Sequence, residues 1–300
     1  MTTPEALKST ITRVEDLQSV VKTMKALAAV SIRQYQKAVQ SLADYNRSVE
    51  MGLQIALKHQ YFEGDDFGEF LGNFNPKTAR LGAIVFGSDQ GLCGQFNEQI
   101  AERAIAYFHE HNETIDRLSI AAVGARVVLP IQASKYEIDA LFSVPSSAKE
   151  ITPMVQELIL NIERWREQGE IDRVVLFYNH SVSGSSYESR VFPLLPVDRQ
   201  WLSNLQNKQW PSNVMPTFTM DWQVLFSALI RQYLFVSLYR AFAESLASEN
   251  ASRLSSMQAA EKNINERLED LTGQYRRQRQ SSITGELLDI AAGFEALTDR

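Results

Sequence analysis

LKSTITRVEDLQSVVKTMKALAAVSIRQYQKAVQSLADYNRSV, residues 7–49, is the stretch whose reading decides the fold. Counting in sevens from Leu7 gives Val14, Val21, Ala28, Tyr35, Leu42 and Val49, an apolar row. A second row, Leu17, Met24, Ser31, Ala38 and Tyr45, interleaves with it, and only Ser31 is polar. The repeat is longer than the three or four heptads that mark a coiled coil. Pro4 suits a first helical turn, where its missing N–H costs nothing, and no further proline occurs before Pro76. A single helix is expected from about Pro4 to about Tyr61. At ~1.5 Å rise per residue it would run roughly 85 Å, too long to cover one compact core.

The other end mirrors it. After Pro216 there is no proline to Arg300, and a second long helix is expected from about Asp221 to about Leu297. Its seam holds Val236, Ala243, Asn250, Met257, Ile264 and Leu271, beside a companion row of Ala247, Leu254, Leu268 and Tyr275 interrupted by Glu261. Gly273, Gly285 and Gly293 predict kinks or fraying in its distal third. Alanines between Ala241 and Ala260 let two backbones approach closely. Neither seam can be buried by one helix, so the two ends are expected to wrap around each other.

Between them the period changes. LGAIVFG (81–87), LSIAAVG (118–124), VVLFYNH (174–180) and SRVFPLLPV (189–197) read as strands. Phe96–His111, RVVLPIQ (126–132) and Ser147–Gln168 read as helices, and the acidic, glycine-spotted Gly64–Asn75 reads as a loop. Strands alternating with helices predict an α/β layer with a mainly parallel sheet. The fold class is therefore α/β plus a long coiled coil. The expected domains are an N-terminal coiled-coil helix (1–61), an α/β domain inserted between the ends (62–220) and a C-terminal coiled-coil helix (221–300).

Composition narrows the function. A formal net charge of −6 argues against a nucleic-acid partner. No apolar run reaches the ~18 residues a membrane helix needs, and MTTPEALKST carries no signal or transit pattern. Cys93 is the single cysteine, which excludes an internal disulfide and a cysteine-based zinc cluster. His109 and His111 are two apart, a spacing that does not put two ligands on one helical face. They are expected at the polar end of a surface helix, and no metal or cofactor site is expected.

FGSDQGLCGQFN (86–97) leaves a strand and enters a helix with three glycines, as a phosphate-binding loop would. Yet no Lys-Ser/Thr follows Gly94, and the dinucleotide pattern G-x-G-x-x-G is absent. Glycines for a tight turn and close packing are the expected role. Cys93 lacks any catalytic signature and is expected to pack at a helix start. Arg276, Arg277 and Arg279 form a concentrated positive spot that is either a solvated helix face or a surface steered toward acidic loops of a partner.

Four segments carry a family resemblance. KTMKALAAVSIRQYQKA (22–38), FGSDQGLCGQFN, YLFVSLYRAFAESLASENASRLSSMQAA (233–260) and RQSSITGELLDIAAG (279–293) resemble, in order, segments of the gamma subunits of rotary F-type ATP synthases. In the second, Ser88, Asp89, Gly91, Leu92, Cys93, Gly94 and Asn97 match the family pattern S-D-x-G-L-C-G-x-x-N. The resemblance implies an antiparallel coiled coil of the two termini with a Rossmann-like domain mounted on it. It implies a rotor without catalytic residues, coupling ion flow through a membrane ring to ATP synthesis or hydrolysis. Its implied partners are the alpha and beta subunits of the catalytic hexamer, the epsilon subunit and the membrane rotor ring. Its implied place is peripheral, on the cytoplasmic side of the membrane.

Arg279, Gln280, Thr284 and Glu286 match family positions that engage beta-subunit loops. Met24 matches the N-terminal position beside those loops, with Lys22, Lys25 and Arg33 on the same segment. Arg276 and Arg277 join this rotor–stator contact set through the basic cluster. Val30, Ser31 and Ile32 depart from the family's Ser-Lys-Met, the basic I-x-x-R-I opening is missing, and Gln95 follows the Cys motif. Such drift points to a divergent or alternate branch. Two competing classes remain: a structural coiled-coil adaptor, supported by the heptads, and a small α/β enzyme, which lacks a catalytic constellation.

Overall fold

The computed structural model describes residues 3–59, 79–183 and 186–298. The Gly64–Asn75 loop expected from sequence lies outside them, as do residues 60 and 61 at the expected end of the first helix. Helix α1 spans Pro4–His59. Its start is capped by Thr3, whose hydroxyl accepts the Ala6 N–H at 3.3 Å. The final helix, α6, spans Trp222–Thr298 and runs without a break through Gly273 and Gly285. It is set in place by Asp221, whose carboxylate accepts the N–H groups of Gln223 (2.9 Å) and Val224 (3.2 Å).

The chain divides into two compact units, Ala29–Ser252 and a second formed by Met1–Ala28 with Arg253–Arg300. The larger contains a five-stranded sheet in the order β3-β2-β1-β4-β5. Its strands are β1 (Ala79–Phe86), β2 (Ile115–Val123), β3 (Ala140–Phe142), β4 (Arg173–Ser183) and β5 (Ser186–Leu195). β1, β2, β3 and β4 pair in parallel, and β5 joins β4 antiparallel. Between them lie α2 (Phe96–Glu110), α3 (Val128–Ala133) and α4 (Ile151–Glu167), and α5 (Arg199–Asn207) follows β5. The short β3 and α5 carry too few periodic residues to be read from sequence.

Alternation along the strands makes two cores. Leu81, Ala83 and Val85 face one side and pack with Ile100, Ala104 and Phe108 of α2 and Ile131 of α3. Ile84 and Phe86 face the other, against Val155, Leu158 and Ile162 of α4 and the terminal helices. There Phe86 meets Phe242 of α6 edge to face at 4.9 Å, and Tyr35, Leu42, Val49 and Leu53 of α1 join the same core. The sheet is thus anchored on both terminal helices by shared apolar surface, the dominant favourable term in folding.

Both units contain the two terminal helices side by side and antiparallel. In the larger, Tyr45 Oη donates to Gln232 Oε1 at 2.7 Å, and the Trp222 indole N–H donates to the Ala56 carbonyl at 2.7 Å. In the smaller, Gln18 bonds Asn265 (2.5 Å) and Lys25 pairs with Glu261. The first apolar row of α1 is buried or half-buried throughout, from Leu7 to Val49. Of the companion row, Met24, Ser31 and Ala38 are half-buried, while Leu17 is 58% exposed and Tyr45 44%. The line half-buried throughout beside the seam is Ile11, Gln18, Lys25, Ile32, Val39 and Asn46. It stands four residues after each seam position rather than three, because α6 lies toward that side.

Candidate functional site

The most elaborate local structure is the loop after β1, where the sequence places FGSDQGLCGQFN. Asn97, in the first turn of α2, closes it. Its side-chain carbonyl accepts the Ser88 N–H at 2.9 Å, and its amide donates to Ser88 Oγ at 2.9 Å. Asp89 ties the loop to two later segments, accepting the Ala125 N–H and the Val144 N–H, both at 2.8 Å. Two glycines are needed for the fit. A Cβ on Gly87 would stand 2.6 Å from Val127 Cβ, and one on Gly124, at φ +94°, 2.8 Å from the Ser88 backbone. Cys93, 2% exposed, caps the buried end. Its carbonyl accepts the Ser252 hydroxyl of α6 at 2.5 Å. The groups that would cradle a phosphate are spent on the protein itself: this loop is a latch.

The residues expected to meet a partner sit on the smaller unit, with the exception of Arg33. In that unit Lys22 is exposed and donates to Gln18 Oε1 at 3.1 Å, Met24 is half-buried, and Lys25 is held by Glu261. Arg33, in the larger unit, is exposed. Arg276, Arg277, Arg279, Gln280, Thr284 and Glu286 are all exposed, and Thr284 Oγ1 donates back to the Gln280 carbonyl at 2.9 Å. The structure does not gather these into one cluster. With Lys25 opposite Glu261, Arg276 stands 276 − 261 = 15 residues farther along α6, roughly 22 Å at ~1.5 Å per residue.

The register also explains the exposure beyond Gln280. Gln18 opposite Asn265 and Lys25 opposite Glu261 bring the start of α1 level with about residue 280 of α6. Past that level α6 has no α1 residue beside it, and Ile283, Leu287, Leu288 and Ile290 are 47–69% exposed. On α1, Leu17, which the heptad reading placed in its companion row, forms an exposed apolar stripe with Val20 and Leu27. His109 and His111 lie at the end of α2, where the His111 ring stacks on Tyr107 at 4.0 Å. Among the described residues no cluster of metal-ligating side chains occurs, and no helix is long and apolar enough to cross a membrane.

Residues 3–297 match the family described as ATP synthase. The chain belongs to that family. Among curated members of the ATP synthase family, it is 29% identical to the ATP synthase gamma chain of Sulfurovum sp., covering 97% of this chain and 98% of that one. It is likewise 29% identical to the gamma chain of Anaeromyxobacter sp., with the same coverage of both. Of solved structures, the fold is similar to a chain of the Euglena gracilis mitochondrial ATP synthase described as OSCP/F1/c-ring, with a TM-score of 0.62 over 98% of this chain and 94% of that one, at 14% identity. A chain of the Tetrahymena thermophila mitochondrial ATP synthase central stalk and c-ring gives 0.51 at 19% identity, over 80% of this chain and 99% of that one. Long terminal helices around a mixed central sheet are the fold these ATP synthase chains share with it.

Proposed function

We propose that the chain is the central rotor stalk, the gamma subunit, of an F-type ATP synthase or ATPase. The observation that carries this is the antiparallel pairing of its terminal helices in a chain whose family match runs over residues 3–297. It is a non-catalytic subunit. It couples ion translocation through the membrane ring to ATP synthesis or hydrolysis by turning within the alternating alpha and beta subunits. Its other partners are the epsilon subunit and the ring itself, and it is peripheral on the cytoplasmic side of the membrane. An asymmetric helix pair presents a different face to each of the surrounding subunits. Each face biases a bistable catalytic site differently, which is all that a rotating effector needs to do.

The contact set is Lys22, Met24, Lys25, Arg33, Arg276, Arg277, Arg279, Gln280, Thr284 and Glu286. Two features support it. The arginines are exposed near the end of α6, beside Ile283 and Leu287, which leave apolar surface uncovered. The separation along α6 provides two stations, one around Met24 and Lys25 and one around Arg279, for loops at different heights. Two measurements test the reading. The chain should copurify with nucleotide-binding alpha and beta chains, and its absence from such a complex would refute the rotor role. Arg277→Glu and Arg279→Glu should lower the ions pumped per ATP hydrolysed more than they lower assembly. An unchanged ratio in a normally assembled complex refutes the contact set.

A further inference from the structure

A cavity of 260 Å³ lies in the larger unit where α1, β4, β5, α5 and α6 meet. Residues of all five elements line it. Tyr178 and Arg190 are register partners across β4 and β5, so they share a face, and Phe192 follows two residues later on that face. The Arg190 guanidinium carbon lies 5.8 Å from the Phe192 ring centre. On α6, Tyr233, Ser237 and Arg240 recur at intervals of four and three and form one stripe. Trp201 of α5 completes the wall, its ring 4.8 Å from that of Tyr233. Glu50 of α1 and Asp198 before α5 also line the cavity.

The charges here are not paired with one another. Glu50 Oε1 accepts the Asn46 amide at 2.7 Å, and Asp198 Oδ1 accepts the Gln200 N–H at 2.8 Å as the cap of α5. Among the described residues, the guanidiniums of Arg190 and Arg240 make no ion pair and no hydrogen bond to another side chain or carbonyl. Two guanidiniums beside flat aromatic walls, with two carboxylates lining the same cavity, are a bipolar arrangement. It suits a flat ligand with an anionic group at one end and hydrogen-bond donors at the other. Planar bidentate recognition of phosphate is what guanidinium does best. Aromatic faces take a heterocycle by stacking, and carboxylates accept from amino or hydroxyl groups. The volume is just below the ~300 Å³ at which small-molecule pockets begin, which admits a small ligand and leaves no room for a peptide.

We propose that this cavity is a binding site for a nucleoside monophosphate, with the phosphate on Arg190 and Arg240, the base against the wall formed by Trp201 and Tyr233, and the carboxylates on its hydroxyl or amino groups. The assignment is independent of the rotor reading, because it is measured on the isolated full-length chain. In isothermal titration calorimetry, adenosine 5′-monophosphate should bind at one per chain, and about tenfold or more tighter than inorganic phosphate or adenosine alone. Arg190→Gln and Arg240→Gln should each weaken it about tenfold or more, with melting temperatures close to that of the parent. If either variant unfolds, Arg190→Lys and Arg240→Lys keep the charge but lose the fork, and should still weaken binding measurably. No heat with millimolar nucleotide, inorganic phosphate binding as tightly as the nucleotide, or full affinity in the folded variants would each overturn the proposal.

Discussion

The Ser252 hydroxyl of α6 donates to the Cys93 carbonyl, joining the C-terminal helix to the loop after β1 across 159 residues of sequence. Both residues are buried. The bond fixes the sheet on α6 at the end of the loop that Asn97 and Asp89 have already tightened. Removing it takes one of two donors from the buried carbonyl, which keeps the Phe96 N–H at 3.3 Å, and costs about 0.5–1.5 kcal/mol. Ser252→Ala is therefore expected to lower the urea midpoint of the full chain without changing the slope of the transition. A variant as stable as the parent would show that water or a shifted neighbour satisfies the carbonyl.

Gly124 permits the same loop from the other side. Its φ of +94° and the Ser88 backbone 2.8 Å from any Cβ leave no place for a side chain. Gly124→Ala must either move the Ser88 segment, breaking the Ser88–Asn97 bonds, or strain its own backbone by about 3 kcal/mol. Its expected effect on thermal stability is larger than that of Ser252→Ala. Equal melting temperatures for the two variants would contradict this reading of the turn.

How much of this was legible beforehand depends on the distance over which each residue acts. Heptad rows such as Leu7 to Val49 report a local period, so α1 and α6 were readable, as were the strands with uninterrupted apolar runs. The flank of the seam was not. Gln18, Lys25 and Asn46 are polar yet turn toward α6, while Leu17, Val20 and Leu27 are apolar and turn outward. A count of hydrophobic residues therefore misses part of the contact face. The roles of Asp89 and Ser252 were equally hidden, because their partners Ala125, Val144 and Cys93 lie far away in sequence. The cavity beside Tyr178 is assembled from five elements, and no single segment carries its signature.

Burial of tyrosines gives the chain a definite alkaline limit. Loss of hydration raises the phenol of Tyr178 well above the ordinary range, and the Glu244 carboxylate beside it adds to the rise. Tyr233 and Tyr107 are raised mainly by burial too. A group with a higher pKa folded than unfolded holds its proton where the unfolded chain has released it. Its contribution to stability is thus complete below the unfolded value near ~10 and is lost as pH climbs past it, by about 1.4 kcal/mol per unit until the folded group itself ionises. Urea midpoints are expected to be level from pH 7 to 9 and to fall steeply above 10. Tyr178→Phe should flatten that fall. A parallel decline in parent and variant would assign the alkaline loss to other groups.

Lys25 and Glu261 offer the clearest measure of what the helix pairing contributes. Their side chains are 35% and 20% exposed, so water screens the attraction only partly. They stand on the line four residues past the α1 seam, where Gln18 and Asn265 repeat the polar contact. Polar groups at such positions fix register more than they add stability. A double-mutant cycle of Lys25→Ala and Glu261→Ala should give a coupling of about 0.2–1 kcal/mol, shrinking in high salt. The exchange Lys25→Glu with Glu261→Lys should recover most of what either single reversal loses, since it restores attraction at the same level of the pair. If the exchanged chain is no better than the single reversals, α1 and α6 are held in register by their apolar seam alone.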